Sequence, residues 1–281
     1  MYKRQLLGIP ISAEQERAVQ APLKPCAVIA GAGTGKTTVM AARVVWLVAS
    51  RLVSPEEILG LTFTNKATAE LSERIESNLT RVGLLTSEQP RPTVATYDSF
   101  AGTLVNDYGA WDGISTGAHL ITGARAYQLA AEVVMGLDKA PLAATHMGPT
   151  FIAQAVVKLA GAMASHDASP GKVRRADARW RQMLLAAPTK RGGDRYADID
   201  KWLSRVDERE ELLDLVAAYQ NLKKERGLVE FGDRMVQALH LVTHHPRVGE
   251  ELRARYRVVL LDEYQDTSVS YTHLRAHETR H

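Results

Sequence analysis

Apolar residues recur along this chain in two patterns, and the change between them divides it into parts. Short runs of mainly apolar and β-branched residues lie at Cys26–Ala30, Ile58–Phe63, Thr93–Thr96 and Arg257–Leu261. Runs of this length, bounded by turn residues, are typical of buried strands. Helical spacing follows the first run, over Thr37–Val48. Strands that alternate with helices favour an α/β fold around a parallel sheet.

The middle of the chain has a different pattern. Apolar positions recur there with the period of amphipathic helices, at 126–135, 151–160 and 210–219, and no strand pattern competes. We therefore expect an all-helical subdomain at 109–228. It is inserted into an α/β lobe whose two parts are residues 1–108 and 229–268, the second of which begins with a helix at Phe231–Val242.

A glycine-rich segment connects the first predicted strand to the helix after it. Its glycines can adopt positive φ, so several backbone N–H groups can point at one anion at the helix N-terminus. Lys36 adds a point charge for the β- and γ-phosphates of a nucleotide, and the Thr37 hydroxyl is a ligand for Mg²⁺. An ordinary glycine-rich turn is the alternative. The predicted binding segment comprises Gly31, Ala32, Gly33, Thr34, Gly35, Lys36, Thr37 and Thr38.

A second polar segment follows the strand predicted at Arg257–Leu261. Asp262 and Glu263 come directly after this strand, and ligands bind at the carboxyl edge of an open α/β sheet. We expect Asp262 to hold Mg²⁺ together with Thr37, and Glu263 to accept a proton from an attacking water. Gln265 follows on the turn, where its amide can sense the γ-phosphate. The alternative is an acidic loop after a core strand, and the pairing with the glycine-rich segment argues against it.

The two segments together resemble a known family. Ala30-Gly-Ala-Gly-Thr-Gly-Lys-Thr37 and Asp262-Glu-Tyr-Gln-Asp-Thr267 are similar to motifs of the superfamily-one DNA helicases of the UvrD, Rep and PcrA group. The resemblance implies a RecA-like P-loop NTPase sheet, with the inserted helical part as the counterpart of the 1B subdomain that helps to guide DNA. Ile11-Ser-Ala-Glu-Gln15 is similar to the family's Q motif, which implies that Gln15 pairs with adenine and selects ATP. A solvated glutamine is the alternative.

The segment that follows the second predicted strand resembles one of the family's DNA-contact motifs. In Leu61-Thr-Phe-Thr-Asn-Lys-Ala-Thr-Ala-Glu-Leu71, the resemblance implies that Phe63 stacks on a base of single-stranded DNA. It also implies that Thr64, Asn65 and Lys66 approach the DNA backbone. A core phenylalanine before a helix cap is the alternative.

The segment Thr93-Val-Ala-Thr-Tyr-Asp-Ser-Phe100 resembles the next DNA-contact motif. The resemblance implies contacts from Thr96 and Ser99. Asp98 stands where the family usually has a histidine, and its negative charge would repel phosphate. Asp98 is therefore left out of the expected DNA contacts.

Two segments nearer the middle of the chain have weaker signals. Residues 172–191 form the most basic stretch of the inserted part, with Trp180 inside it. That mixture suits a surface that follows phosphates and offers one stacking platform, and a solvated basic surface is the alternative. Val229-Glu-Phe-Gly-Asp233 resembles the family segment that leads back into the motor core, and we expect Phe231 and Asp233 to be structural.

The resemblance implies an ATP-dependent 3′-to-5′ DNA helicase and translocase that uses ATP and Mg²⁺ and binds single-stranded DNA and duplex junctions. Its motifs span Ile11–Thr267, and in the family a second lobe follows with arginines that stabilise the transferred phosphoryl group. Such an arginine is worth ~10³ to 10⁵ in turnover, so we expect this chain alone to bind nucleotide but hydrolyse it poorly.

Two alternative functions remain. One is an ATP- and single-strand-binding module without turnover of its own, which needs its second lobe or a partner protein. The other is the helicase part of a RecB-like helicase-nuclease, because Met40–Val48 and Thr96–Leu104 also resemble actinobacterial subunits of that kind.

Composition sets limits on these expectations. The net charge is only +3 and Cys26 is the one cysteine, so charge alone does not indicate nucleic-acid binding and an internal disulfide is excluded. No signal peptide or apolar stretch of ~20 residues is present, and we expect a cytoplasmic protein without a membrane segment. Residues 269–279, within the last segment 269–281, resemble the in-frame translation of a sequencing adapter. We expect an artefactual tail there, whose histidines form no metal site.

Overall fold

The computed structural model describes residues 11–31, 33–115, 117–138, 148–190 and 193–264, and the tail expected at 269–281 lies outside them. None of the helices in these ranges combines the length and apolar character needed to cross a bilayer. In chain order the helices are α1 (Ala13–Val19), α2 (Lys36–Ala49), α3 (Asn65–Arg81), α4 (Tyr97–Tyr108), α5 (Gly123–Met135), α6 (Pro149–Ser165), α7 (Pro170–Leu185), α8 (Ala197–Glu225), α9 (Phe231–His244) and α10 (Pro246–Arg255). The strands are β1 (Ile58–Thr62), β2 (Thr93–Thr96), β3 (His119–Leu120), β4 (Leu228–Val229) and β5 (Val258–Leu261), and 3₁₀ helices lie at Pro55–Glu57 and Gly109–Asp112.

The described residues form two compact units, and the first consists of 11–104 with 241–264. It is built on a parallel sheet in the order β2-β1-β5, so three of the four predicted strands are confirmed. The central strand β1 is buried at all its positions. Residues of α2 and α3 form one apolar core with Ile58 and Val258 from the sheet, including Val44, Leu47, Leu71 and Leu79.

The strand predicted at Cys26–Ala30 is wrong. This segment has no regular secondary structure, and the Ile29 side chain is 98% exposed. A parallel strand is stabilised by hydrogen bonds to a neighbouring strand. In the described part of the chain, β5 is an edge strand, with β1 as its only partner. The apolar composition of Cys26–Ala30 was therefore not sufficient to make it a strand.

The second unit comprises the described residues of 105–240. The helices predicted at 126–135, 151–160 and 210–219 lie within α5, α6 and α8 and are confirmed. These three helices pack around one apolar core that includes Leu129, Val156, Val216 and Tyr219. The unit is mainly helical rather than all-helical, because β3 pairs in parallel with β4. Strands of two residues are too short to show an alternating pattern in the sequence.

The second unit is also larger than the insertion expected at 109–228, since it includes the first ten residues of α9. Close packing explains part of this difference. A Cβ added to Gly232 of α9 would lie 3.0 Å from the Ala164 side chain of α6. The start of α9 therefore belongs with the helices of the second unit and not with the sheet.

A buried ionic network joins the end of α8 to the start of α9. The ammonium group of Lys223 lies 2.7 Å from carboxylate oxygens of both Glu230 and Asp233. The Tyr219 hydroxyl donates to Glu230 at 2.8 Å, and burial together with this carboxylate raises the Tyr219 pKa above its usual range. Asp233 also accepts the backbone N–H of Glu230 at 2.8 Å. These contacts give Asp233 a structural role.

We expect Lys223→Met to lower the free energy of unfolding by about 3 kcal/mol, because it leaves two partly buried carboxylates without their cation. Chemical denaturation followed by circular dichroism measures the change. Lys224→Met is the matched control: Lys224 is exposed on the same turn of helix, and its loss should change the free energy by less than ~0.5 kcal/mol. Equal losses in the two variants would contradict the role given to Lys223.

Candidate functional site

The glycine-rich turn ends where α2 begins. Gly33 and Gly35 have φ of 76° and 80°, in the left-handed region that favours glycine. The Thr34 hydroxyl donates to the Gly31 carbonyl at 2.8 Å and folds the turn back on itself. Lys36 and Thr37 are the first two residues of α2. The first N–H groups of a helix have no partner within it, so this N-terminus can bind an anion.

Gln15 contacts this turn from α1. Its amide N–H donates to the Thr34 carbonyl at 2.9 Å, and its amide oxygen accepts the Ser12 N–H at 2.8 Å in the capping box of α1. A Cβ added to Gly35 would lie 3.3 Å from the Gln15 amide nitrogen. Gln15 is therefore beside the glycine-rich turn, with both ends of its amide engaged by the protein.

Strand β5 brings the two acidic residues to the carboxyl edge of the sheet. The Asp262 N–H donates to the Leu61 carbonyl at 2.9 Å and extends the pairing with β1. Glu263 then adopts a φ of 47°, a left-handed conformation that is costly for a residue with a side chain and is often found at functional sites. The Glu263 carboxylate lies 3.0 Å from the ammonium group of Lys36. Two segments more than 200 residues apart in the sequence thus meet at one edge.

The local electrostatics favour a bound cation at Asp262. Burial raises the pKa of its carboxyl group, and the neighbouring charge of Glu263 raises it further, while a backbone hydrogen bond and Lys36 act in the opposite direction. Two adjacent carboxylates in a partly buried place gain from a divalent cation, which prefers oxygen ligands.

One residue of the expected nucleotide site, Thr38, is held from the neighbouring helix α3. Thr38 accepts a hydrogen bond from Arg74 of α3 at 3.0 Å, and Arg74 also pairs with Glu70 at 2.7 Å. Nothing in the spacing of α3 predicts this contact of Arg74 with α2. Ala32 and Gln265 lie outside the described residues.

The residues from Phe63 to Lys66 follow β1 at its carboxyl end, and all four are exposed. Phe63 is 54% exposed, so the alternative of a core phenylalanine is wrong. The Thr64 hydroxyl accepts the Ala67 N–H at 3.1 Å and caps α3. An exposed aromatic ring is thereby fixed beside a helix N-terminus.

The segment after β2 is arranged differently from the expectation. The Thr96 side chain is buried, and its hydroxyl accepts the Ser99 N–H at 3.1 Å at the start of α4. Ser99 itself is exposed. Tyr97, which the sequence analysis did not select, donates from its hydroxyl to the Asp262 carbonyl at 2.6 Å. Its ring meets Phe63 edge to face, with centroids 6.2 Å apart.

Residues 11–276 match the family model described as the UvrD/REP helicase N-terminal domain. The chain is 26% identical over 259 residues to a probable DNA helicase II homolog of Rickettsia felis. This alignment covers 92% of this chain and 34% of the relative. It is 26% identical over 262 residues to the ATP-dependent DNA helicase UvrD1 of Mycobacterium tuberculosis, covering 92% and 29%. It is 28% identical over 256 residues to the DNA helicase II of Haemophilus influenzae, covering 91% and 30%. The chain thus spans about a third of the length of these relatives. It belongs to the UvrD/REP helicase family and carries the family's N-terminal domain.

Proposed function

We propose that this chain is the nucleotide-binding part of an ATP-dependent DNA helicase that moves 3′ to 5′ along single-stranded DNA. The observation that carries the proposal is the 3.0 Å contact between Lys36 and Glu263, which joins the glycine-rich turn to the acidic segment. The names of the relatives, DNA helicase II and ATP-dependent DNA helicase UvrD1, support the activity. The direction of movement rests on the family resemblance alone.

The glycine-rich turn and the start of α2 would bind the phosphates of ATP, and Lys36 would bind the β- and γ-phosphates. Lys36 must exchange its contact with Glu263 for these phosphates. The exchange is favourable because a polyphosphate carries more negative charge and more acceptor oxygens than one carboxylate. Glu263 is then released beside the γ-phosphate, where it accepts a proton from the attacking water. Gln265 would orient that water or sense the γ-phosphate.

Thr37 and Asp262 would hold Mg²⁺. Their hydroxyl and carboxylate oxygens suit this cation, and the raised pKa of Asp262 marks a place where negative charge is poorly compensated. Bound Mg²⁺ would neutralise charge on the β- and γ-phosphate oxygens. Gln15 would select ATP by exchanging its bond to the Thr34 carbonyl for the edge of adenine.

The exposed residues after β1 would follow the DNA strand. Phe63 would stack on a base, while Thr64, Asn65 and Lys66 approach phosphates. Two residues around the start of α4, Thr96 and Ser99, would complete the contact. Ser99 is exposed and would contact the strand directly, whereas the buried Thr96 would act by fixing the backbone of Ser99.

Phe63→Ala is expected to weaken binding of single-stranded DNA by ~1 to 3 kcal/mol, because it removes one stacked ring. Fluorescence anisotropy of a labelled oligothymidylate measures the affinity. Phe151→Ala, which removes a similarly exposed phenylalanine from α6, is the control and should leave the affinity unchanged. An unchanged affinity in the Phe63 variant would remove this ring from the proposed interface.

The arrangement of the longer protein is also a proposal. The second unit would correspond to the family's 1B subdomain, and a second lobe or a partner protein would supply the arginines needed for fast hydrolysis. The longer protein would act on duplex junctions. Two alternatives are a binding module without turnover and the helicase part of a RecB-like helicase-nuclease, and assays of ATP turnover and nuclease activity in the proposed longer protein distinguish them.

Calorimetric titration of the purified chain with ATP, with and without Mg²⁺, tests the nucleotide half of the proposal. We expect saturable binding that is tighter in the presence of Mg²⁺, and weaker binding of GTP. A chain that does not bind ATP in the presence of Mg²⁺ would overturn the assignment. The DNA half is tested separately by the Phe63 variant.

A further inference from the structure

A pair of tryptophans lies exposed on the hairpin of α7 and α8. Trp180 of α7 and Trp202 of α8 have ring centroids 6.3 Å apart with planes inclined at 41°. The two residues are 52% and 50% exposed. We call them the tryptophan platform. Large apolar surface that remains in contact with water on two neighbouring rings commonly marks a binding site.

Cations without acidic partners flank the tryptophan platform. The Arg205 guanidinium lies over the Trp202 ring, 5.6 Å from its centroid. Arg179 and Lys201 adjoin the two tryptophans in sequence and are exposed. Among the described residues, no carboxylate lies within ion-pair distance of these three cations. Other arginines of the hairpin are engaged in ion pairs between α7 and α8, namely Arg174 with Glu210 and Asp214, Arg181 with Asp207, and Arg209 with Asp177.

The hairpin of α7 and α8 is more basic than the chain as a whole. Residues 170–209 contain eleven Lys and Arg against six Asp and Glu, an excess of five, whereas the whole chain has a net charge of +3. The connection between the two helices repeats the same combination, because the Lys190 ammonium lies over the Tyr196 ring at 5.7 Å. Positive charge and exposed aromatic rings therefore occur together at two places on the hairpin.

We propose that the tryptophan platform binds single-stranded nucleic acid. Bases would stack on Trp180 and Trp202, and Arg179, Lys201 and Arg205 would contact the phosphates. Flat rings interleaved with cations fit a strand whose bases are unpaired and whose backbone is anionic. Tryptophan and arginine also occur in protein interfaces, and the excess of positive charge on this hairpin is what favours a nucleic acid over a protein partner. This contact is separate from the one proposed for Phe63 and does not depend on the nucleotide site.

Substitution of the two tryptophans tests the proposal in the full chain. Each of Trp180→Ala and Trp202→Ala is expected to weaken binding of a labelled oligothymidylate about tenfold, as loss of a stacked base implies. Trp111→Ala is the matched control, since Trp111 is 48% exposed in the same unit and lies outside the hairpin. It should leave the affinity unchanged. Circular dichroism before each titration ensures that only folded variants are compared.

Two further measurements are needed. The first separates the contribution of charge to the affinity from that of stacking, and the second separates the tryptophan platform from the contact proposed for Phe63. Arg179→Gln and Arg205→Gln should each reduce the slope of log affinity against log salt by about 0.7, the value for one single-strand phosphate contact. Combining Trp180→Ala with Phe63→Ala should multiply the two losses, because the contacts are independent.

Three outcomes would overturn the proposal. The first is an affinity for oligothymidylate that is the same in the platform variants as in the unchanged chain, even if Phe63→Ala weakens it. The second is an equal loss in Trp111→Ala. The third is a change in sedimentation from dimer to monomer in the platform variants with no change in oligonucleotide affinity, which would make the platform a contact between copies of the chain. None of these outcomes bears on ATP binding, so failure here and failure of the proposed function are distinguishable.

Discussion

Lys36→Ala is expected to weaken ATP binding by about 3 kcal/mol, which is a loss of roughly 100-fold in affinity. The Lys36 ammonium is the cation beside the glycine-rich turn, and its present partner is the Glu263 carboxylate at 3.0 Å. Without Lys36 the β- and γ-phosphates would lose a charge-assisted contact, and the Glu263 carboxylate would face them without its present cation. Isothermal calorimetry with ATP and Mg²⁺ measures the effect.

Lys66→Ala provides the control for this variant. Lys66 is an exposed lysine in the same unit, placed after β1, and its proposed contact is with DNA. It should therefore leave ATP affinity unchanged while it weakens binding of an oligonucleotide. If Lys36→Ala binds ATP as tightly as the unchanged chain does, the phosphates bind elsewhere and the site assignment fails.

Glu263→Gln is expected to lower ATP turnover by ~10² to 10⁴, the usual contribution of a general base. Turnover is measured in the longer protein proposed above, under conditions in which DNA is saturating. Nucleotide affinity, measured in the present chain, should stay the same or rise by less than about fivefold. The rise is small because the Lys36–Glu263 pair is about a third exposed, and such pairs contribute less than ~1 kcal/mol.

The matched control for this prediction is Glu57→Gln. Glu57 lies 3.7 Å from Arg257 at the other edge of the sheet, so the same chemical change there removes an ion pair without touching the carboxyl edge. It should alter neither turnover nor nucleotide affinity. Normal hydrolysis by the Glu263 variant would show that another group accepts the proton.

The elements that could be predicted from the sequence are those with a regular spacing of apolar residues or a continuous apolar composition. The helices within α5, α6 and α8 bury one face each, and that face recurs at a regular spacing. The strand β1 is buried at every position, and β5 is buried at Val258 and partly buried at its other positions. Cys26–Ala30 has the same composition but no neighbouring strand within the described residues. The composition of a segment indicates whether it tends to be buried. Whether it pairs as a strand depends on other strands, which are far away in the sequence.

For the candidate nucleotide site too, only part of the arrangement could be predicted from the sequence. The pairing of the glycine-rich turn with Asp262 and Glu263 could be predicted, because each segment has a recognisable order of residues. The bonds from Gln15 to the Thr34 carbonyl and from Arg74 to Thr38 could not. They join single side chains on different elements, and no periodicity in the sequence indicates such contacts.

Tyr97 connects the two halves of the proposed chemistry through one side chain. Its ring contacts Phe63, and its hydroxyl holds the Asp262 carbonyl at 2.6 Å. In the proposed complex, a base that displaced Phe63 would act on the backbone of the acidic turn through one aromatic contact and one hydrogen bond. Thermodynamic linkage makes such a connection reciprocal: the factor by which DNA changes the affinity for nucleotide equals the factor by which nucleotide changes the affinity for DNA. A contact that lets the strand alter the affinity for nucleotide must also let the nucleotide tighten or loosen the hold on the strand.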